Sequence, residues 1–177
     1  AYYLGNVRGI GLDLLRTAGN CNNNKEIQPP DDGDIYINLK KAYEKIQLLT
    51  ELTGKKVGIR EIEEIKMREC MGCSSDNYCY SSLGQAMVVT PDGDTYPCSS
   101  LVRNMEYYMG NIDEEIEMKQ LSSGKYERCN ICEYRKICKG CCPSRMLYNK
   151  KYETEDKDCI LRKAVFKILD EERKINE

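Results

Sequence analysis

The residues best equipped for chemistry are cysteines, and their spacing is specific. Between Cys129 and Cys142 five cysteines fall in one short run: Cys129-x2-Cys132-x5-Cys138-x3-Cys142, with Cys141 next to Cys142. A C-x2-C turn aims two thiolates at one centre, where they hold zinc or one face of an iron–sulfur cube. The run cannot close two sites alone. Partners must come from Cys70, Cys73, Cys79 and Cys98 upstream, or from Cys159 downstream. The expectation is a chain tied together by metal across long loops.

Eleven cysteines without a single histidine exclude mixed Cys/His zinc sites, histidine-based catalytic metals and Ser-His-Asp triads. Disulfides, all-cysteine zinc and iron–sulfur clusters remain. The odd count and the adjacent Cys141 and Cys142 speak against a disulfide framework. Cys21 stands far from the others and reads as a free thiol. The 177 residues contain one Phe and no Trp, a lean apolar supply that metal ligation would supplement, since binding to the folded form is itself folding free energy. A net charge of -2 gives no electrostatic case for nucleic acid or an anionic membrane as partner. No apolar run approaches the ~20 residues of a membrane span. No secretory signal is visible, and a cytoplasmic location is expected. The chain opens at Ala1 rather than Met, which suggests a missing N-terminal portion.

The elements that must position the thiols follow in chain order. Residues 1–20 read as a strand and loop, with Gly5, Gly9 and Gly11 around Arg8. The Asn, Asp, Pro and Gly content of residues 19–34 predicts an exposed loop. Leu39, Ala42, Tyr43, Ile46, Leu49 and Leu52 recur at helical spacing, so a helix is expected from Asn38 to Thr53, capped by Asn38 and Gly54. A weaker helix covers 60–69. Asp-Gly between β-formers predicts a hairpin over Leu83–Cys98 that folds Cys98 back toward Cys79. Asp92 and Asp94 read as turn residues bonding their own backbone rather than as catalysts. Asp113, Glu114 and Glu115 are expected to start a helix. Pro143–Asn149 suits a short helix. Asp158–Ile175 suits a longer one, with a stripe of Ile160, Leu161, Ala164, Val165, Ile168 and Leu169 and with Cys159 at its start.

Taken together, Cys79, then Gly93 and Cys98, then Cys129, Cys132, Cys138 and Cys142, then Cys159 form an ordered pattern. Over about residues 70–165 it resembles the SPASM domain, the C-terminal extension of many radical AdoMet enzymes that mature ribosomal peptides and proteins. The Pro91–Cys98 hairpin is also typical of that family. The resemblance implies two auxiliary [4Fe–4S] clusters with interleaved ligands. Cluster I would take Cys79, Cys98 and Cys142 plus Cys73; cluster II would take Cys129, Cys132, Cys138 and Cys159. Cys70 and Cys141 are then surplus, and either could substitute for a named ligand, Cys141 by pairing with Cys138 as C-x2-C. Arg128, Arg135, Lys136, Lys139 and Arg145 surround the central run and could moderate the charge of a cluster or simply form a solvated face.

The implied fold class is α+β: a small irregular metal-stapled domain with a β-hairpin and helices, preceded by a remnant of the radical AdoMet partial (β/α) barrel. Residues 1–34 would be the barrel tail and loop, 35–69 bridging helices, and 70–177 the SPASM domain with its C-terminal helix. The C-x3-C-x2-C loop that binds AdoMet through an open iron is absent, because Arg145 stands where its last cysteine would fall. AdoMet and a third [4Fe–4S] cluster therefore belong to the missing barrel portion, which is one expected partner; a precursor peptide or protein substrate is the other. Whether the chain counts as an enzyme by itself stays open. Where sulfatase-maturing relatives carry an aspartate base after the hairpin cysteine, this chain has Ser99, which points to thioether or carbon–carbon crosslinking of a ribosomally made peptide instead. The competing reading is a non-enzymatic cysteine-ligated module, zinc or cluster, that recruits a peptide or partner chain. No catalytic acid or base stands out.

Overall fold

The structure, a computed structural model, describes residues 1–15, 26, 27, 29–72, 77–152 and 157–176. Cys21 and Cys73 lie outside them. The chain divides into two compact units, one of Ala1–Ser74, Lys136–Cys138 and Lys157–Glu177, the other of Ser75–Arg135 and Lys139–Asp156.

The first unit is built on helices. Strand β1 (Gly9–Ile10) pairs in parallel with β2 (Gly58–Ile59), and α1 (Asp32–Thr53) lies between them in sequence. Helix α2 (Arg60–Met71) follows β2 directly, and α4 (Lys157–Asn176) packs on both α1 and α2. The buried side chains recur one helical turn apart: Ile35, Leu39 and Tyr43 on α1, Ile62 and Ile65 on α2, and Leu161, Ala164, Val165, Ile168 and Leu169 on α4. Complete burial of Ile62 and Ile65 contributes about 1.5–3 kcal/mol each. The stripe expected on α4 is buried except for half-buried Ile160, and Phe166 joins it.

Helix α1 starts six residues before the expected Asn38. Pro29 and Pro30 end the preceding segment, Ile35 N–H bonds the Asp31 carbonyl at 3.0 Å, and the carboxylates of Asp32 and Asp34 sit in the first turn, where the helix dipole favours them. Asn38 is inside the helix and donates to the Asp34 carbonyl at 2.9 Å. The Asp-Gly-Asp composition that suggested a loop is therefore the polar first turn of the helix. The C-terminal end is as expected, with Gly54 at φ 68° and its N–H on the Thr50 carbonyl. The apolar face does not extend to Leu52, which is 72% exposed, and Ala42 is exposed too.

The second unit holds a three-stranded antiparallel sheet of β3 (Val88–Val89), β4 (Asp94–Tyr96) and β5 (Gly110–Asn111). Val88 faces Tyr96 and Val89 faces Thr95, so the expected hairpin exists. Its turn is closed by Gly93 N–H on the Thr90 carbonyl at 3.0 Å. Gly93 has φ +86°, and a Cβ there would stand 2.7 Å from the Asn111 side chain. Asn111 donates to the Asp92 carbonyl at 3.0 Å and to Asp94 at 3.2 Å, so these acidic residues serve the turn and its neighbouring strand. A turn and bend that follow the third strand stand where a helix is expected at Asp113–Glu115. Asn111 accepts from the Asp113 N–H and Glu117 N–H bonds the Met109 carbonyl, which draws this segment along the sheet instead of into a helix. Helix α3 (Pro143–Tyr152) completes the unit. The mixture of helices and small sheets is α+β in class. Among the described residues no helix is long and apolar enough to cross a membrane.

Polar staples reinforce the first unit. Tyr43 donates to Glu172 at 2.9 Å and accepts from Lys66 at 2.6 Å; Tyr36 and Lys40 donate to Glu171 at 2.6 and 2.8 Å. The Lys40 hydrogen bond, then that of Tyr36, holds the Glu171 carboxyl below its ordinary 4.5. A carboxyl depressed on folding stabilises the native state above its unfolded pKa, and that stabilisation is lost as pH falls through the folded value. Urea unfolding at a series of acidic pH values should therefore show stability falling below about 4.5. Glu171→Gln should flatten part of that slope; an identical slope in the variant would contradict the staple.

Candidate metal centre

Three of the cysteines expected to share a centre occupy one kind of position. Cys79 is the extended residue before the 3-10 turn Tyr80–Leu83, and Cys98 is the extended residue before the 3-10 turn Ser99–Leu101. Cys142 directly precedes α3, and its carbonyl accepts from Met146 N–H at 3.0 Å. Pro143 takes the first helical position, where its missing N–H costs nothing. Each cysteine therefore leads into a turn whose first N–H groups have no partner within the helix.

The segments bearing these thiols are joined to one another in a ring. Ser81 Oγ, two residues after Cys79, donates to the Pro97 carbonyl beside Cys98 at 2.6 Å. Tyr148 of α3, the helix that Cys142 opens, donates from its hydroxyl to the Ser100 carbonyl at 2.9 Å. Cys141 N–H bonds the Gly124 carbonyl at 2.6 Å, and Tyr78 N–H bonds the adjacent Ser123 carbonyl at 3.1 Å, which returns to Cys79. This last link needs two glycines. Gly124 has φ +85° and Gly140 φ +90°; a Cβ on Gly124 would collide with the Cys141 carbonyl oxygen, and one on Gly140 with that of Gly124. The expectation that the hairpin brings Cys98 toward Cys79 thus acquires a mechanism in Ser81. Cys73, the proposed fourth member, is outside the described residues.

Of the second expected set, Cys129 lies in the 3-10 segment Glu127–Ile131 and Cys132 ends it, with its N–H on the Cys129 carbonyl at 3.3 Å. The C-x2-C is therefore a tight turn. Both cysteines are half-buried and belong to the second unit, whereas Cys138 and Cys159 are half-buried in the first. Arg68 of α2 donates to the Ile137 carbonyl at 3.3 Å and so fixes the residue before Cys138; Arg68 is itself paired with Glu64 at 3.4 Å. Cys159 is in the first turn of α4, which Arg173 ties to Glu69 of α2 at 2.5 Å. Of the surplus pair, Cys141 is buried and Cys70 is exposed near the end of α2.

The nine described cysteines are all outside disulfides. Among the described residues no three Cys, Asp or Glu side chains converge tightly enough to wrap one ion. Zinc draws its sulfurs to about 2.3 Å from a single centre. Soft thiolates on neighbouring loops are the donors that an all-cysteine zinc site and an iron–sulfur cube both take. Of the cations around the central run, Arg128 stacks on the Tyr126 ring at 4.4 Å and Lys139 on the Tyr78 ring at 4.8 Å. Sequence reasoning passed over the two glycines, Tyr148, and two buried serines, Ser82 and Ser144, beside the thiols; the one available signal was a glycine at each end of the close approach. Gly124→Ala should destabilise the second unit by about 1–3 kcal/mol from backbone strain, with more from the collision. The check is urea unfolding together with iron retention, and wild-type behaviour on both would remove this link from the account.

Residues 79–142 match the SPASM family model, described as an iron-sulfur cluster-binding domain. Over 103 residues the chain is 32% identical to the cysteine-type anaerobic sulfatase-maturating enzyme of Clostridium perfringens (strain 13 / Type A), a match covering 51% of this chain and 27% of that protein. Its fold is similar to the solved structure of native anSMEcpe with bound AdoMet, with a TM-score of 0.59 and 24% identity over 86% of this chain and 44% of that one. The chain thus accounts for about a quarter of the curated relative's length. The region that matches this iron-sulfur cluster-binding family, Cys79 to Cys142, is the one in which three sulfur-bearing segments are joined in a ring.

Proposed function

We propose that this chain is the auxiliary-cluster part of a radical AdoMet maturase acting on a ribosomally made peptide or protein. The observation that carries the reading is the ring of hydrogen bonds joining the segments of Cys79, Cys98 and Cys142, each thiol at the start of a helical turn. Those three with Cys73 would hold one [4Fe–4S] cluster, and Cys129, Cys132, Cys138 and Cys159 a second. Bound there, fully ligated clusters supply one-electron transfer. The chain's own part is to hold the thiolates, to keep water from the sulfurs and to shape the peptide site. Residues 1–34 would be the tail of the catalytic barrel, 35–69 a bridge and 70–177 the cluster domain. The parallel β1–β2 pair with α1 between them supports this, since strand–helix–parallel strand is the repeating unit of such barrels. AdoMet and the third cluster would be bound by the barrel portion.

The choice of substrate rests on Ser99, exposed at the start of its 3-10 turn, in the place where sulfatase-maturing relatives carry an aspartate. We favour thioether or carbon–carbon crosslinking of a peptide. The 32% identity with a sulfatase-maturating enzyme supports a second reading, in which the substrate is a protein.

The test is iron and acid-labile sulfide content after anaerobic isolation. The proposal expects about eight iron atoms per chain, four for each cube. Cys142→Ala and Cys159→Ala should each remove one cluster and spare the other. Stoichiometric zinc without sulfide would overturn the proposal and leave the structural-module reading. With AdoMet and reductant the chain alone should form no 5′-deoxyadenosine; product formation would contradict the assignment of that chemistry to a separate barrel portion.

A further inference from the structure

We propose that Ser144 donates a hydrogen bond to the Cys142 sulfur and thereby raises the reduction potential of the cluster held by Cys79, Cys98 and Cys142. This rests on the cluster reading above. Ser144 Oγ lies 3.2 Å from Cys142 Sγ, and Ser144 is 1% exposed. A hydroxyl sealed from water is costly unless it is hydrogen-bonded. With a protonated thiol either atom could donate. Once Cys142 is a thiolate ligand its sulfur carries no proton, and only the hydroxyl can.

The local sequence explains why a side chain takes this role. Pro143 follows Cys142 and has no N–H, so the residue next to the ligand offers the sulfur no backbone donor. The Ser144 hydroxyl stands in its place. A related contact occurs at Cys79, whose Sγ lies 3.9 Å from the Oγ of fully buried Ser82. Two ligands of one proposed cluster therefore each face a buried serine in the first turn of the helix they precede.

Hydrogen bonds to ligand sulfurs are among the factors that set cluster potentials. The oxidised cube accepts one electron from an external reductant, dithionite in the experiment, with no bond broken and no proton released. The reduced state puts more charge on the sulfurs, so a donor favours it. Removing the donor should make reduction harder.

The experiment compares wild type, Ser144→Ala and Ser144→Thr, isolated anaerobically. Iron and sulfide are measured first, and the midpoint potential is then followed by electron paramagnetic resonance during a dithionite titration. We expect Ser144→Ala to keep its cluster content and titrate at a more negative potential, by up to about tenfold in the reduction equilibrium, or about 59 mV for one electron. Ser144→Thr should restore the wild-type value, and Ser82→Ala should shift in the same direction by less. A fully loaded Ser144→Ala with an unchanged potential overturns the proposal while leaving the cluster reading intact. If Ser144→Ala fails to assemble, Ser144→Thr and Ser144→Val carry the comparison, since they match in shape and differ in the hydroxyl; equal potentials in that pair overturn it. A wild-type chain that takes up no iron overturns the cluster reading, and this proposal falls with it.

Discussion

The hydrogen bond from Cys141 N–H to the Gly124 carbonyl is the constraint on which the second unit depends. Both backbones must come close enough that neither Gly124 nor Gly140 tolerates a side chain. The contact seats the start of α3, and Cys142 with it, against the strand of chain that also holds Tyr78. Ser81 and Tyr148 then close the remaining two sides. The donors involved are mostly backbone groups and short side chains, whose positions are fixed by the turns themselves. Thiols separated by more than forty residues in sequence, such as Cys98 and Cys142, are thus held on adjoining segments by local geometry.

The first unit solves a different problem. Its helices have a narrow apolar stripe, and the polar edges of that stripe are closed by tyrosine, lysine and glutamate. Burial raises the Tyr43 hydroxyl above its ordinary value, with its bond to Glu172 acting in the same direction. Lys66 is pulled down by burial, but its bonds to Tyr43 and Glu172 outweigh this and leave it raised. Each group therefore keeps its proton at neutral pH and can bridge α1, α2 and α4. The same frame carries Cys159 at the start of α4 and, through Arg68, the carbonyl next to Cys138.

What could be read in advance depended on whether the signal was local. The Asp92-Gly93 turn, the Gly54 cap and the stripe of α4 are local patterns, and each appears as expected. The start of α1 was missed because Asp32, Gly33 and Asp34 are loop formers in isolation and good first-turn residues once Ile35 has a core to enter. The strand at Gly110 was missed because its partner, β4, supplies the reason for it. The close approach of Gly124 and Gly140 joins positions sixteen residues apart, and nothing near either glycine announces the other. Ser144 and Ser82 became visible only through their burial and their distances to sulfur.

The central claim is that the thiols of this domain hold iron–sulfur cubes. The most direct measurement is X-ray absorption at the iron and zinc edges of the anaerobically isolated chain. The account predicts an iron edge with sulfur as the first shell and a second shell of neighbouring iron, and no stoichiometric zinc edge. A zinc edge with a single shell of four sulfurs at about 2.3 Å would contradict it.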